Sequence, residues 1–213
     1  MKKQQLPDWF PKHGANPRWN EVNCGAFTEP VFSKIKAELN KLGSHSYRPA
    51  PQELFYDFSI NPDNIKLVIV NSQYPMCVRK KEDGTYPPYT EYPDVQKKMW
   101  DVLQNEYGWT EGAEYFTSAD LSDWVAQGTL LLNLSLTNVR KDIWKEFMIK
   151  LFQWFNETGE RYVFCFLDNE SFSNYAKFVK DRHEIVYLFQ PKLIEELLVK
   201  QHGGFSNFFG LPF

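Results

Sequence analysis

Cysteine is scarce in this chain of 213 residues: Cys24, Cys77 and Cys165 are odd in number and widely spaced. That pattern fits neither a disulfide framework nor a zinc site, and a reducing compartment is the simpler reading. No metal and no cofactor is expected. No apolar run approaches the roughly 20 residues of a membrane span. The opening Met1-Lys2-Lys3-Gln4-Gln5 leads into polar, proline-containing sequence rather than the apolar core of a signal peptide. An intracellular protein, cytoplasmic or nuclear, is expected. An excess of basic charge is missing as well, with Lys+Arg 24 against Asp+Glu 27 and a formal net charge of -3. This excludes a wholesale electrostatic grip on nucleic acid and leaves any such role to a shaped site. What is abundant is aromatic: 7 Trp, 11 Tyr and 18 Phe within 43% hydrophobic residues. So much apolar surface excludes disorder and is enough for a substantial core.

From Leu6 to Asn23, Pro7, Pro11, Gly14 and Pro17 stand among Trp9, Phe10 and Trp19, which reads as an extended arm packing aromatics on the body. Thr28 caps an expected helix over 29–42, with Phe32, Ile35, Leu39 and Leu42 at helical spacing and Gly43 at its end. Pro49-Ala50-Pro51 opens a shorter helix with Leu54, Phe55 and Phe58 inward. Nearly continuous β-branched or apolar runs predict buried strands over 65–70, 129–134, 162–167 and 184–189. Helices are expected over 94–106, 141–155 and 171–180, with a short helical piece over 120–126. Alternation of strand and helix implies a three-layer α/β/α arrangement around a central, mainly parallel four-stranded sheet. With no repeat or linker, residues 1–213 read as one domain, 1–27 being the aromatic arm. The long polar stretch 71–93 follows the carboxyl end of the first strand, where open α/β sheets place their sites.

The segment Asp120-Leu121-Ser122-Asp123-Trp124-Val125-Ala126-Gln127-Gly128-Thr129-Leu130-Leu131-Leu132-Asn133-Leu134-Ser135-Leu136-Thr137 is similar to DLSxWAxQGVLLLNxxLT of the uracil-DNA glycosylase family. Upstream, Tyr47 to Phe55 resembles the family's YPPxxxIF segment, and 65–70 the strand that delivers its first catalytic motif. Trp19, Pro30 and Phe32 stand where the family's first helix begins. The resemblance implies a glycosylase fold with a DNA groove across the strand ends. It also implies chemistry in which a nucleotide is flipped into a pocket, charge developing on both sugar and base. In the family an Asp of GQDPYH faces the sugar, a His of HPSPLS stabilises the departing base, an Asn ending LLLN reads the uracil edge, and a Phe of GLCFS stacks on it.

At the chemistry this chain departs from that pattern. Asn71-Ser72-Gln73-Tyr74-Pro75-Met76 stands in place of GQDPYH, so Gln73, or Tyr74 if the match slides by one, takes the aspartate position. Gln190 of Phe189-Gln190-Pro191-Lys192-Leu193 takes the histidine position. A missing electrostatic contact of this kind typically costs on the order of 3–4 kcal/mol of barrier. The resemblance leaves Asn133 as the base-reading residue, with Ser72, Tyr74 and Tyr86 as further base contacts and Lys192 and Ser135 as DNA contacts. For Asn133 the residues allow a second reading, in which it ties a turn together after its strand.

His13, His45, His183 and His202 lie outside both motifs and read as surface or packing residues. Asp168 and Glu195 follow strand ends and read as solvated loop carboxylates. Arg79-Lys80-Lys81, followed at once by Glu82 and Asp83, reads as a solvated face. The expectation is a glycosylase-fold protein without ordinary uracil excision that binds DNA, single-stranded or uracil-containing, or a protein partner. The competing expectation is an active DNA glycosylase of base-excision repair with a remodelled pocket. Divergence of this kind suits a viral or phage relative.

Overall fold

Three apolar runs form the centre of the molecule in a computed structural model that describes residues 8–11, 14–43, 46–47, 49, 51, 54–72, 104 and 125–187. Strands β1 (Leu67–Asn71), β2 (Thr129–Asn133) and β3 (Val163–Phe166) are buried at every position. β4 (Glu184–Tyr187) is buried only at Val186, as suits the edge of a sheet. The order is β2-β1-β3-β4 and every pairing is parallel. Runs with no polar alternation can be stable only when both faces leave water, which is why they become the inner layer.

Helix α1 (Glu29–Leu42) carries Pro30 in its first turn, where no amide hydrogen is needed, and buries Val31, Phe32, Ile35 and Leu39. Gly43, at φ +80, ends it in a conformation that side chains disfavour. The expected helix over 141–155 begins as a 3₁₀ turn, Lys141–Trp144, and continues as α2 (Lys145–Glu157). That over 171–180 starts earlier, at α3 (Asn169–Tyr175), because the Asp168 side chain caps it. After Pro51 the described chain offers only a 3₁₀ turn, Tyr56–Ser59, where a helix was expected. The expected helix over 94–106 and most of that over 120–126 lie outside the described residues.

One sheet face, formed by Val68, Val70, Leu130, Leu132, Phe164 and Phe166, joins a core made largely of aromatic rings. Phe147 of α2 lies 5.3 to 5.4 Å, centroid to centroid, from Phe27 and Phe58 in edge-to-face contact. Each such ring removed from water contributes roughly 1.5–3 kcal/mol, and its edge-to-face geometry adds to that.

The aromatic arm is part of this core. Phe10 and Trp19 are fully buried. The Asn16 amide donates to the Phe58 carbonyl at 2.8 Å, and the Trp19 indole Nε1 donates to the carbonyls of Phe58 and Ile60, each at 3.1 Å. At Gly14, φ +87, an added Cβ would lie 2.8 Å from the Tyr56 amide nitrogen, so a side chain is excluded. The arm thereby fixes the Tyr56–Ser59 turn from outside, and the other side of that turn faces the strand ends.

Candidate functional site at the carboxyl ends of the strands

In a sheet ordered β2-β1-β3-β4 the chain leaves β1 toward β2 and returns on the other side to β3. The switch point, where open α/β sheets bind their ligands, therefore lies between the carboxyl ends of β1 and β3. Asn71 and Asn133 end β1 and β2 in register with one another. Ser72 follows β1, and Leu167 and Asp168 follow β3.

The polar side chains here are bonded to one another. Asn133, with no exposed surface, donates from Nδ2 to Oδ2 of Asp57 at 2.5 Å. Asn71 Nδ2 lies 3.4 Å from Asn133 Oδ1 and donates to it. Asp57 is itself buried, 8% exposed, between Phe55 and Phe58 on the turn that the arm holds. Across the switch point, Ser72 donates its amide hydrogen to Asp168 Oδ2 at 2.9 Å and its hydroxyl to Oδ1 at 2.7 Å. The same Oδ1 accepts the Ser171 amide at 2.8 Å, so one carboxylate both caps α3 and ties it to β1. Asp168 is thus not the solvated loop carboxylate that the sequence suggested. Its short side chain follows an extended residue just ahead of a helix, the usual place of a cap.

Ser135 donates to the Thr137 carbonyl at 2.6 Å, and Thr137 donates to the Val139 carbonyl at 2.6 Å while accepting from Trp144 Nε1 at 2.8 Å. The exit from β2 is therefore a self-bonded turn. Beside these strand ends lies a cleft of about 330 Å³, lined by Ser72, Ser135, Lys141, Lys145, Tyr175 and Lys177, with Asp142 and Glu170 also in its wall. Three ammonium groups against two carboxylates give it a small positive balance. A larger cleft of about 830 Å³, which Asp63, Lys66 and Gly128 help line, sits at the opposite, amino end of the strands. It is remote from these polar groups.

Of the residues expected from sequence, Asn133, Ser72 and Ser135 come together at this end of the sheet. Gln73, Tyr74, Tyr86, Gln190 and Lys192 lie outside the described residues, as do Glu195, His13, His45, His202 and Cys77. His183 is buried at the start of β4, its Nδ1 accepting the Tyr162 amide at 3.3 Å. Cys24 and Cys165 are buried free thiols, both pushed up to about 12 by desolvation, and neither is a poised nucleophile. Among the described residues no group of three His, Cys, Asp or Glu side chains is placed to hold a metal ion, and no helix is long and apolar enough to cross a membrane.

Asp57 is the site residue that sequence reading missed. Asp57 is the one charged residue of the segment 54–60, and Leu54, Phe55, Phe58 and Ile60 are buried with it. A carboxylate in an inward register of an apolar segment demands a partner.

A parallel sheet in this order, with amide and carboxylate side chains gathered at its carboxyl edge, defines an open α/β protein whose candidate site lies at the strand ends. Comparison with known proteins agrees. The human uracil-DNA glycosylase is 23% identical over 197 residues, 84% of this chain and 59% of its own length. The Saccharomyces cerevisiae enzyme is 30% identical over 115 residues, 52% of this chain and 32% of its own. The chain thus spans about three fifths and one third of these relatives. Mimivirus uracil-DNA glycosylase superposes with a TM-score of 0.59 at 18% identity, covering 87% of this chain and 75% of that one. A mimivirus variant in complex with UGI gives 0.63 at 18% identity, over 81% and 68%. The UNG structure of Nitratifractor salsuginis gives 0.52 at 16% identity, over 84% of each. No family model matches the chain. The chain is a relative of the uracil-DNA glycosylases in sequence and shares their fold.

Proposed function

We propose that this chain is a binding module on a uracil-DNA glycosylase scaffold that does not excise uracil by the family's usual route. One observation carries the reading: an N–H donor of Asn133, the residue its motif reserves for the base edge, is already given to the buried carboxylate of Asp57. A base edge that draws on the same N–H must displace that bond. A hydrogen bond to a charged acceptor contributes about 1.5–3 kcal/mol net, so displacement weakens base binding by roughly ten- to a hundredfold. The replacement of the family's Asp and His by Gln73 and Gln190 supports the same reading, since an amide carries neither the negative charge nor the transferable proton.

The partner we favour is DNA, single-stranded or uracil-containing. Lys141, Lys145 and Lys177 line the cleft beside the strand ends and give a strand's phosphates something to approach. Tyr74 and Tyr86 would stack on bases, Lys192 would meet a phosphate, and Ser72 and Ser135 would border the strand's path. A protein partner is the alternative, and the mimivirus relative solved in complex with UGI is the precedent for it. The test is abasic-site formation on single-stranded uracil-containing DNA at high protein concentration, against a heat-killed control. No cleavage, with salt-sensitive DNA binding, is the expected result. Turnover that disappears in Asn133→Ala would refute it.

A second reading has its own observation. Asp57 is a carboxylate that converges on Asn133 although the motif aspartate is missing, so an active glycosylase with a remodelled pocket would use it as the site's anion. In that case the wild type turns over and Asp57→Asn does not.

A further inference from the structure

The strand ends share a pattern that goes beyond the loss of two catalytic groups. Three of their hydrogen-bond donors point to carboxylates of the chain itself: Asn133 Nδ2 to Asp57, and both the amide and hydroxyl of Ser72 to Asp168. A carboxylate offers two in-plane acceptor oxygens, much as a pyrimidine edge offers a carbonyl oxygen. Asp57 is held in place independently of Asn133. Its neighbours Phe55 and Phe58 are locked among Phe27, Phe32 and Phe147, and the arm bonds the Phe58 and Ile60 carbonyls through Asn16 and Trp19. The carboxylate is delivered by a rigid turn.

We infer that Asp57 acts as a built-in ligand mimic, an autoinhibitory contact that occupies the base-reading amide of Asn133 and keeps the site shut to a pyrimidine edge. This rests on the binding-module reading, because it takes Asn133 as the residue a base would meet. Its consequence is specific: the Asn133 amide is intact, and a single substitution removes the carboxylate that holds its Nδ2 donor. Asp57→Ala vacates the acceptor while the aromatic clamp around the turn stays whole. Asp57→Ser is too short to span the same distance and keeps a polar side chain in the turn.

The probe is free uracil, titrated into wild type, Asp57→Ala, Asp57→Ser and Asp57→Ala/Asn133→Ala, with binding read by calorimetry and folding by thermal melts. The expected result is at least tenfold tighter binding by either single variant than by wild type, and loss of that gain when Asn133 is also replaced. Equal affinity of wild type and a folded single variant overturns the lock, as does a gain that survives removal of Asn133. Should both single variants fail to fold, Asp57→Asn decides. It keeps the side chain's shape and gives up the carboxylate charge, so it must bind uracil more tightly than wild type, and unchanged affinity in the folded variant overturns the proposal. Failure of the lock is distinguishable from failure of the reading beneath it. Uracil release from DNA by the wild type refutes the module, whereas equal uracil affinities without any release refute the lock alone.

Discussion

Replacing Asp168 by alanine removes the acceptor that joins β1, β3 and α3 at the switch point. Three donors lose their partner: the Ser72 amide at 2.9 Å, the Ser72 hydroxyl at 2.7 Å and the Ser171 amide at 2.8 Å. Losing the cap alone typically costs about 1 kcal/mol. The two Ser72 bonds run to a charged acceptor in a partly buried place, at about 1.5 kcal/mol or more each, part of which water recovers. The expected loss is therefore about 3 kcal/mol for Asp168→Ala. Asp168→Asn keeps one acceptor oxygen for either the cap or Ser72 and should lose about half as much. Guanidinium denaturation followed by tryptophan fluorescence measures both, provided the dependence on denaturant stays parallel among variants. A loss below 1 kcal/mol for the alanine variant would mean that water replaces these bonds at no cost, and that the switch point is not held by this carboxylate.

Gly128 stands at φ +99 just before β2, and an added Cβ would meet the Asn64 backbone carbonyl at 2.5 Å, so Gly128→Ala should destabilise by more than about 2 kcal/mol in the same assay. His183 is lowered to about 4 by burial and by the nearby cations Arg182, Arg161 and Lys180. Its unfolded form takes up a proton first, so stability should be full above about pH 6.5 and fall by about 1–2 kcal/mol as the pH drops toward 4, solvent screening allowed for. A His183→Gln variant with an equally steep acid limb would exclude that origin.

Most of the scaffold was legible because burial and periodicity speak directly in sequence. The runs at 65–70, 129–134 and 162–167 contain too little polar residue to be anything but an inner layer, and the strands lie within a residue or two of those limits. Helix α1 has its expected bounds because Pro30 and Gly43 punctuate it chemically. The helix expected after Pro51 became a 3₁₀ turn instead. Leu54, Phe55 and Phe58 fit a 3.6-residue stripe, but the arm's bonds from Asn16 and Trp19 to Phe58 and Ile60 take carbonyls that a longer helix would have used.

Within the candidate site, the residues around Asn133 placed it at a strand end, whereas its hydrogen bonding depends on which side chain faces it, and Asp57 comes from 76 residues away in sequence. Pairwise contacts of that span leave no local trace. The same limit explains Asp168, whose partner Ser72 lies 96 residues earlier. On the proposed function, one electrostatic argument ties the two carboxylates to the two replaced motif positions. A glycosylase site must keep its donors available for the charge that develops on the leaving base. Where Gln73 and Gln190 stand for the groups that make the reaction fast, as the proposed function has it, nothing in the chemistry requires those donors to stay open. Left open and buried they would cost free energy, and a carboxylate within reach stabilises them. Retaining Asn133 while filling its donor from within is then the expected outcome for a scaffold freed from the demands of excision, and a site kept for catalysis would instead show that donor facing an open pocket.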